Sequence, residues 1–161
     1  MEKVITVSLE KAAFLRSVFD MTIKAQDEES LITKMEFYKS LKPTREKIKA
    51  LISERAEVAK KVESIVTPKE RAEEMEKFEK FEKDALAKDI EITMSSELLD
   101  WTKGKWKLVP SLFKLVDHRT GAISQEGLSS EEDCELYYGI KMAIEDARVK
   151  KEEEPKKSDK K

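Results

Sequence analysis

Thr67-Pro68-Lys69-Glu70 decides how this chain folds, because it divides two long charged helical patterns that together run from Lys47 to Lys88. Thr67 suits a helix N-cap, Pro68 the first helical position, and Glu70 the place from which a carboxylate reaches back to the cap amide. Upstream, over about 44–66, Ile48, Leu51/Ile52, Val58/Ala59, Val62 and Ile65 recur at helical spacing, with Arg55 interrupting the row. Downstream, over about 68–88, Ala72, Met75, Phe78, Phe81, Ala85 and Leu86 do the same. Both stripes are narrow and the remaining positions are mostly Lys, Arg and Glu. That pattern predicts two antiparallel helices packed on each other, with little of either sunk in a thick core. From Lys42 to Lys88 there are 13 basic and 11 acidic residues with signs interleaved, which is a solvated face laced with ion pairs and not a basic stripe.

Working outward, Ile90-Glu91-Ile92-Thr93-Met94 alternates apolar and polar as a half-buried strand does, and Val4 to Leu9 is a second β-prone run. Each leads through a serine into a helix. The two are expected to pair at the base of the hairpin, since an unpaired strand leaves its backbone groups unsatisfied. Between them and the hairpin lie a helix of about 9–25, carrying Ala12, Leu15, Val18, Phe19 and Ile23, and a second opened by Asp27-Glu28-Glu29. The second carries Leu31, Ile32, Met35, Tyr38 and Leu41 and is stopped or kinked at Pro43. After the second strand, Ser95-Ser96-Glu97 starts a short helix with Leu98, Leu99 and Trp101 that Gly104 is expected to break. Leu112, Phe113, Leu115 and Val116 read as helix rather than strand and lead to a turn at Asp117-His118-Arg119-Thr120-Gly121. A last helix, capped near Ser129-Ser130, carries Leu136, Tyr137, Ile140, Ala143, Ile144 and Ala147. The Lys/Glu tail of 150–161 has nothing to bury and is expected to be disordered. The fold class is therefore mainly α (α+β): one domain over 1–149, with a charged hairpin of about 44–88 protruding from a base formed by 4–42 and 89–149.

Composition narrows the function classes. Among 161 residues, 32 basic and 34 acidic side chains give a net charge of −2, which exerts no overall pull toward nucleic acid or an anionic membrane. Cys134 is the only cysteine, so an intrachain disulfide is impossible and a reducing, cytoplasmic setting is expected. The N-terminus lacks the apolar core of a signal peptide, and no apolar run reaches the roughly 18 residues of a membrane span.

Residues with chemical potential have plainer readings. His118 and Cys134 stand in no nucleophile motif, and Cys134 falls in the first turn of a capped helix. Glu131, Glu132, Asp133 and Glu135 suit a helix N-terminus and lack the pattern of a calcium loop. Neither a catalytic residue, a metal site nor a cofactor is expected. The most distinctive local patch is Trp101, Lys103, Lys105, Trp106 and Lys107. Aromatic rings among lysines anchor protein interfaces or stack on nucleic-acid bases, and they also close hydrophobic cores, which is the favoured reading here.

The order of elements, from the opening strand and Phe14-Leu15 through the arm Phe78-Glu79-Lys80-Phe81-Glu82-Lys83-Asp84-Ala85-Leu86 into Ile90-Glu91-Ile92, resembles a family of short uncharacterised proteins of tailed phages infecting Gram-positive bacteria. The resemblance covers residues 4–146 and rests on order, not on a diagnostic residue. It implies a viral protein acting inside the host cell and carries over no catalytic residue. The expected function is a non-enzymatic interaction protein that binds a host or virion protein, or a second copy of itself, through the hairpin and the Trp-Lys segment. The alternative is a nucleic-acid-associated protein using Trp101–Lys107 and the tail, where 148–161 holds seven basic and four acidic residues.

Overall fold

Residues 2–112, 114–116, 123–126 and 130–158 are described by the computed structural model of the chain. Strand β1 (Glu2–Ser8) pairs antiparallel with β2 (Asp89–Ser95), Ile5 opposite Ile92 and Val7 opposite Ile90. Alternation puts Ile5, Val7, Ile90, Ile92 and Met94 on the buried face of this ribbon. The Leu9 amide also donates to the Lys88 carbonyl at 2.8 Å. The ribbon thus clamps both ends of the excursion that runs from residue 9 to residue 88.

That excursion contains four helices, α1 (Leu9–Thr22), α2 (Glu28–Ser40), α3 (Lys42–Glu63) and α4 (Pro68–Ala87). The Ser8 hydroxyl caps α1 by accepting from the Lys11 amide at 3.2 Å, and the Asp27 carboxylate caps α2 by accepting from Ser30 at 2.7 Å. The rest of the base is α5 (Ser96–Leu112), a short antiparallel pair β3 (Lys114–Val116) and β4 (Ile123–Glu126), and α6 (Glu131–Ser158). Helix α6 packs on β1 and α1, and α5 packs on β2 and α6, so the ribbon is covered. A two-stranded ribbon needs such cover to persist in water. The architecture is mainly α with a small β component, as the sequence predicts.

The core lies where α1, α2 and α5 meet. Phe19 and Phe37 stack with ring centroids 4.6 Å apart, and Trp101 meets both at 5.8 and 5.9 Å. Trp106 closes on Phe19 from the other side at 5.8 Å. Such aromatic pairs contribute about 0.5–1.5 kcal/mol each beyond the area they bury.

Phe78 is buried in the seam of α3 and α4, outside the main core. Phe81 is its aromatic neighbour at 6.2 Å, and the Arg55 guanidinium lies 6.0 Å from the centre of its ring. Arg55 also donates to Glu82 at 2.8 Å, and Lys61 pairs with Glu74 at 3.3 Å. The arginine that interrupts the apolar row therefore acts as a lid on Phe78 and a cross-strut to α4. Exposed ion pairs contribute only about 0–1 kcal/mol each, so the apolar seam carries the pairing.

Apart from the packing of the hairpin seam, the structure differs from the sequence expectation at five places. Thr67 occupies the N-cap position of α4, but its hydroxyl makes no cap hydrogen bond. Across the same turn the Arg71 side chain donates to the Ile65 carbonyl. Gly104 does not break α5. A glycine costs a helix about 1 kcal/mol, less than the burial of Leu98, Leu99, Trp106 and Val109 on one continuous face returns. Lys114–Val116 is a strand, not a helix, because Ile123–Glu126 supplies it with backbone partners; a short apolar run does not reveal its partner by periodicity. Helix α6 continues to Ser158, past the point at Lys150 where disorder was expected. Lys and Glu favour a helix, and extending one needs no new nucleus.

The fifth difference concerns α2. Its core face is Phe37 and Leu41, flanked by a half-buried Tyr38, whereas Leu31, Ile32 and Met35 are more than half exposed on the outer side. Lowering the pH tests the cap of this helix. The hydrogen bond from the Ser30 backbone amide, with a second from its side chain, holds the Asp27 carboxyl below its ordinary 3.8. Its contribution is complete above that ordinary value and is lost as pH falls through the depressed folded-state value. The Ser30 amide resonance should therefore move in acid, and Asp27→Asn should keep the helix while abolishing that movement.

Candidate interaction surfaces

The Trp-Lys segment lies on α5, whose helical spacing separates its five candidate residues. Trp106 faces inward and is 1% exposed. Its ring stacks on Tyr137 of α6 at 4.8 Å and 14°. The indole Nε1–H donates to the Tyr137 carbonyl at 3.2 Å, and the Tyr137 hydroxyl donates to the Trp106 carbonyl at 2.9 Å. Burial pushes the Tyr137 hydroxyl pKa up, which keeps the phenol protonated and donating. This reciprocal bond locks α5 to α6. It leaves the Trp106 ring no face on which a base could stack.

Trp101 is half-buried against Phe19 and Phe37, on the α2 side of α5. Lys105 lies on that side too, and its charge makes the smallest contribution to lowering the Asp27 carboxyl. Lys103 and Lys107, one helical turn apart, line a cavity of about 370 Å³ between α5 and α6. Lys141 and Glu145 of α6 stand on its other wall. The structure thus brings together Lys103, Trp106 and Lys107 and sends Trp101 and Lys105 elsewhere.

The hairpin offers a different kind of surface. Phe81 is 50% exposed and walls a groove of about 220 Å³ with Ala50, Leu51 and Ala85, rimmed by Lys47, Glu54 and Lys88. Ile52 and Met75 are also exposed on the same two helices, at 63% and 37%. Sequence reading places Phe81, Ile52 and Met75 in the seam. Their spacing suits that placement, but two facing helices bury only a strip, and Phe78, Leu51 and the half-buried Val58, Val62 and Ile65 fill it. The outer face of α2 is the other exposed apolar surface, and it too escapes the sequence. Its residues follow the periodicity of a buried stripe, and only the position of Phe37 shows which side faces in.

Cys134 is exposed in the first turn of α6, where its amide donates to the Ser130 carbonyl at 3.0 Å. His118 and the turn around it lie outside the described residues. The Glu131–Glu135 acids do not converge: among the described residues, no group of three or more His, Cys, Asp or Glu is placed to hold a metal ion. No helix among them is long and apolar enough to cross a membrane.

Fold and surfaces together define a mainly α protein with a charged helical hairpin set on an aromatic-cored base. No family model matches the chain, and the comparisons with curated proteins and with solved structures give no match either.

Proposed function

We propose that this protein is a non-enzymatic interaction module that docks on another protein through its helical hairpin. The observation that supports this reading is Phe81. It is an aromatic ring half exposed beside an apolar groove, on an arm where Ile52 and Met75 are also exposed among the charged side chains. Half-exposed aromatics over small grooves are the type of residue that anchors interfaces, and a helix pair can add a third helix along such a groove. The resemblance to tailed-phage proteins makes a host or virion protein the expected partner.

The test is capture of partners by the tagged protein from a Gram-positive host lysate, with and without nuclease, followed by mass spectrometry. The reading predicts one discrete protein that survives nuclease and is lost with Phe81→Asp. Phe81 also touches Phe78, so the unfolding midpoint of the variant is measured alongside, and loss of capture counts only where the fold is retained. A set of proteins that disappears on nuclease treatment would transfer the function to nucleic acid. Recovery of the same protein by Phe81→Asp would remove the groove from the interface.

A further inference from the structure

The cavity between α5 and α6 lies away from the hairpin and has its own chemistry. Lys103 and Lys107 from α5 and Lys141 from α6 are gathered around one space of about 370 Å³, with Glu145 the acidic side chain in its lining. None of the three lysines forms an ion pair or hydrogen bond among the described residues, although Glu145 shares the cavity with them. Three like charges facing one space repel each other unless an anion joins them. Three ammonium groups against one carboxylate leave an excess of two positive charges. A phosphate monoester, at about −1.5 to −2 near neutral pH, matches that excess. Lysine is a common phosphate ligand, acting as a point charge with three donors.

The floor is suited to more than a bare ion. Tyr137 is half-buried, held by its stack on Trp106 and by its hydroxyl bond to the Trp106 carbonyl, so it is a rigid aromatic surface. The volume falls at the lower end of the range of about 300–1,000 Å³ typical of small-ligand sites. We propose that this cavity binds a small organic phosphate monoester, its phosphate among Lys103, Lys107 and Lys141 and its organic body against Tyr137.

The Trp106 indole N–H, bonded to the Tyr137 carbonyl, is a nuclear magnetic resonance probe of this floor. Adenosine monophosphate and phenyl phosphate, titrated separately, should each be tried, with inorganic phosphate as the bare anion. At least one ester should shift the Trp106 indole signal saturably and more tightly than inorganic phosphate does. The ester that binds tells a nucleotide from a simple aryl phosphate. The double variant Lys107→Ala/Lys141→Ala removes two exposed side chains and should keep its unfolding midpoint. It should weaken binding by about tenfold or more, since it removes two of the three charged donors that meet the phosphate. A saturable shift of equal affinity in the double variant would overturn the assignment. So would no shift with either ester, or inorganic phosphate binding as tightly as both.

Discussion

Trp106→Ala should cost about 3–5 kcal/mol of folding stability, the usual range for emptying a fully buried large aromatic site. The ring is 1% exposed and lies between Tyr137 on one side and Phe19 on the other, at 4.8 and 5.8 Å. Its loss removes the stack that holds α6 against α5 and the indole donor to the Tyr137 carbonyl, so the damage reaches both helices. Neighbouring side chains can collapse only partly into a space of that size, because the surrounding rings are themselves fixed by packing. Trp101→Ala removes a half-buried ring from the margin of the same cluster and should cost distinctly less. Denaturant unfolding of the two variants measures the difference. A larger loss for Trp101→Ala would mean that the segment packs with its faces exchanged.

The second large effect belongs to the hairpin. Phe78→Ala should cost the hairpin about 3–5 kcal/mol of its local stability, the usual range for emptying a buried aromatic site. Phe78 is 6% exposed, yet it belongs to the seam of α3 and α4 and not to the main cluster. Arg55 and Phe81 cover it, and neither can fill the space its ring leaves: Arg55 is held by Glu82, and Phe81 is half in solvent. The loss should be local in native-state hydrogen exchange, with amides of α3 and α4 exchanging faster while those of β1, β2 and α5 stay protected. Even acceleration across the chain would show that the hairpin has no local opening of its own. An effect below about 1 kcal/mol, too small for deleting a buried ring, would place Phe78 outside the seam.

These two residues also mark how far the sequence is legible. The hairpin can be read because Leu51, Val62 and Phe78 recur at helical spacing among charges, and no other arrangement buries them. The strands can be read because Ile90, Ile92 and Met94 alternate, and alternation fixes the face. Serine and aspartate at residues 8 and 27 announce helix starts through a local hydrogen bond that needs no tertiary context. Thr67 carries the same signal and makes no such bond, and nothing local to the sequence separates it from Ser8 and Asp27.

What resists reading is the choice between two apolar faces of one helix. Helix α2 has Phe37 and Leu41 on one side and Leu31, Ile32 and Met35 on the other. Propensity and spacing are indifferent between them, and the stack of Phe37 on Phe19 decides. The Trp-Lys segment is ambiguous for the same reason. Trp101 and Trp106 are five residues apart, which on a helix turns them toward different neighbours. The lysines between them are split between the Asp27 side and the α6 side. The cavity that unites Lys103 and Lys107 with Lys141 joins positions more than thirty residues apart in sequence, which no local pattern reveals.

The central claim is that the hairpin makes the contact. It is tested most directly by placing a photoactivatable phenylalanine analogue at position 81 and, in a second protein, at position 31, then irradiating in the lysate used for partner capture. The account predicts a covalent adduct of one defined mass from position 81, absent without light, and none of that mass from position 31. An adduct from position 31 alone would move the docking surface to the outer face of α2 and contradict the hairpin reading.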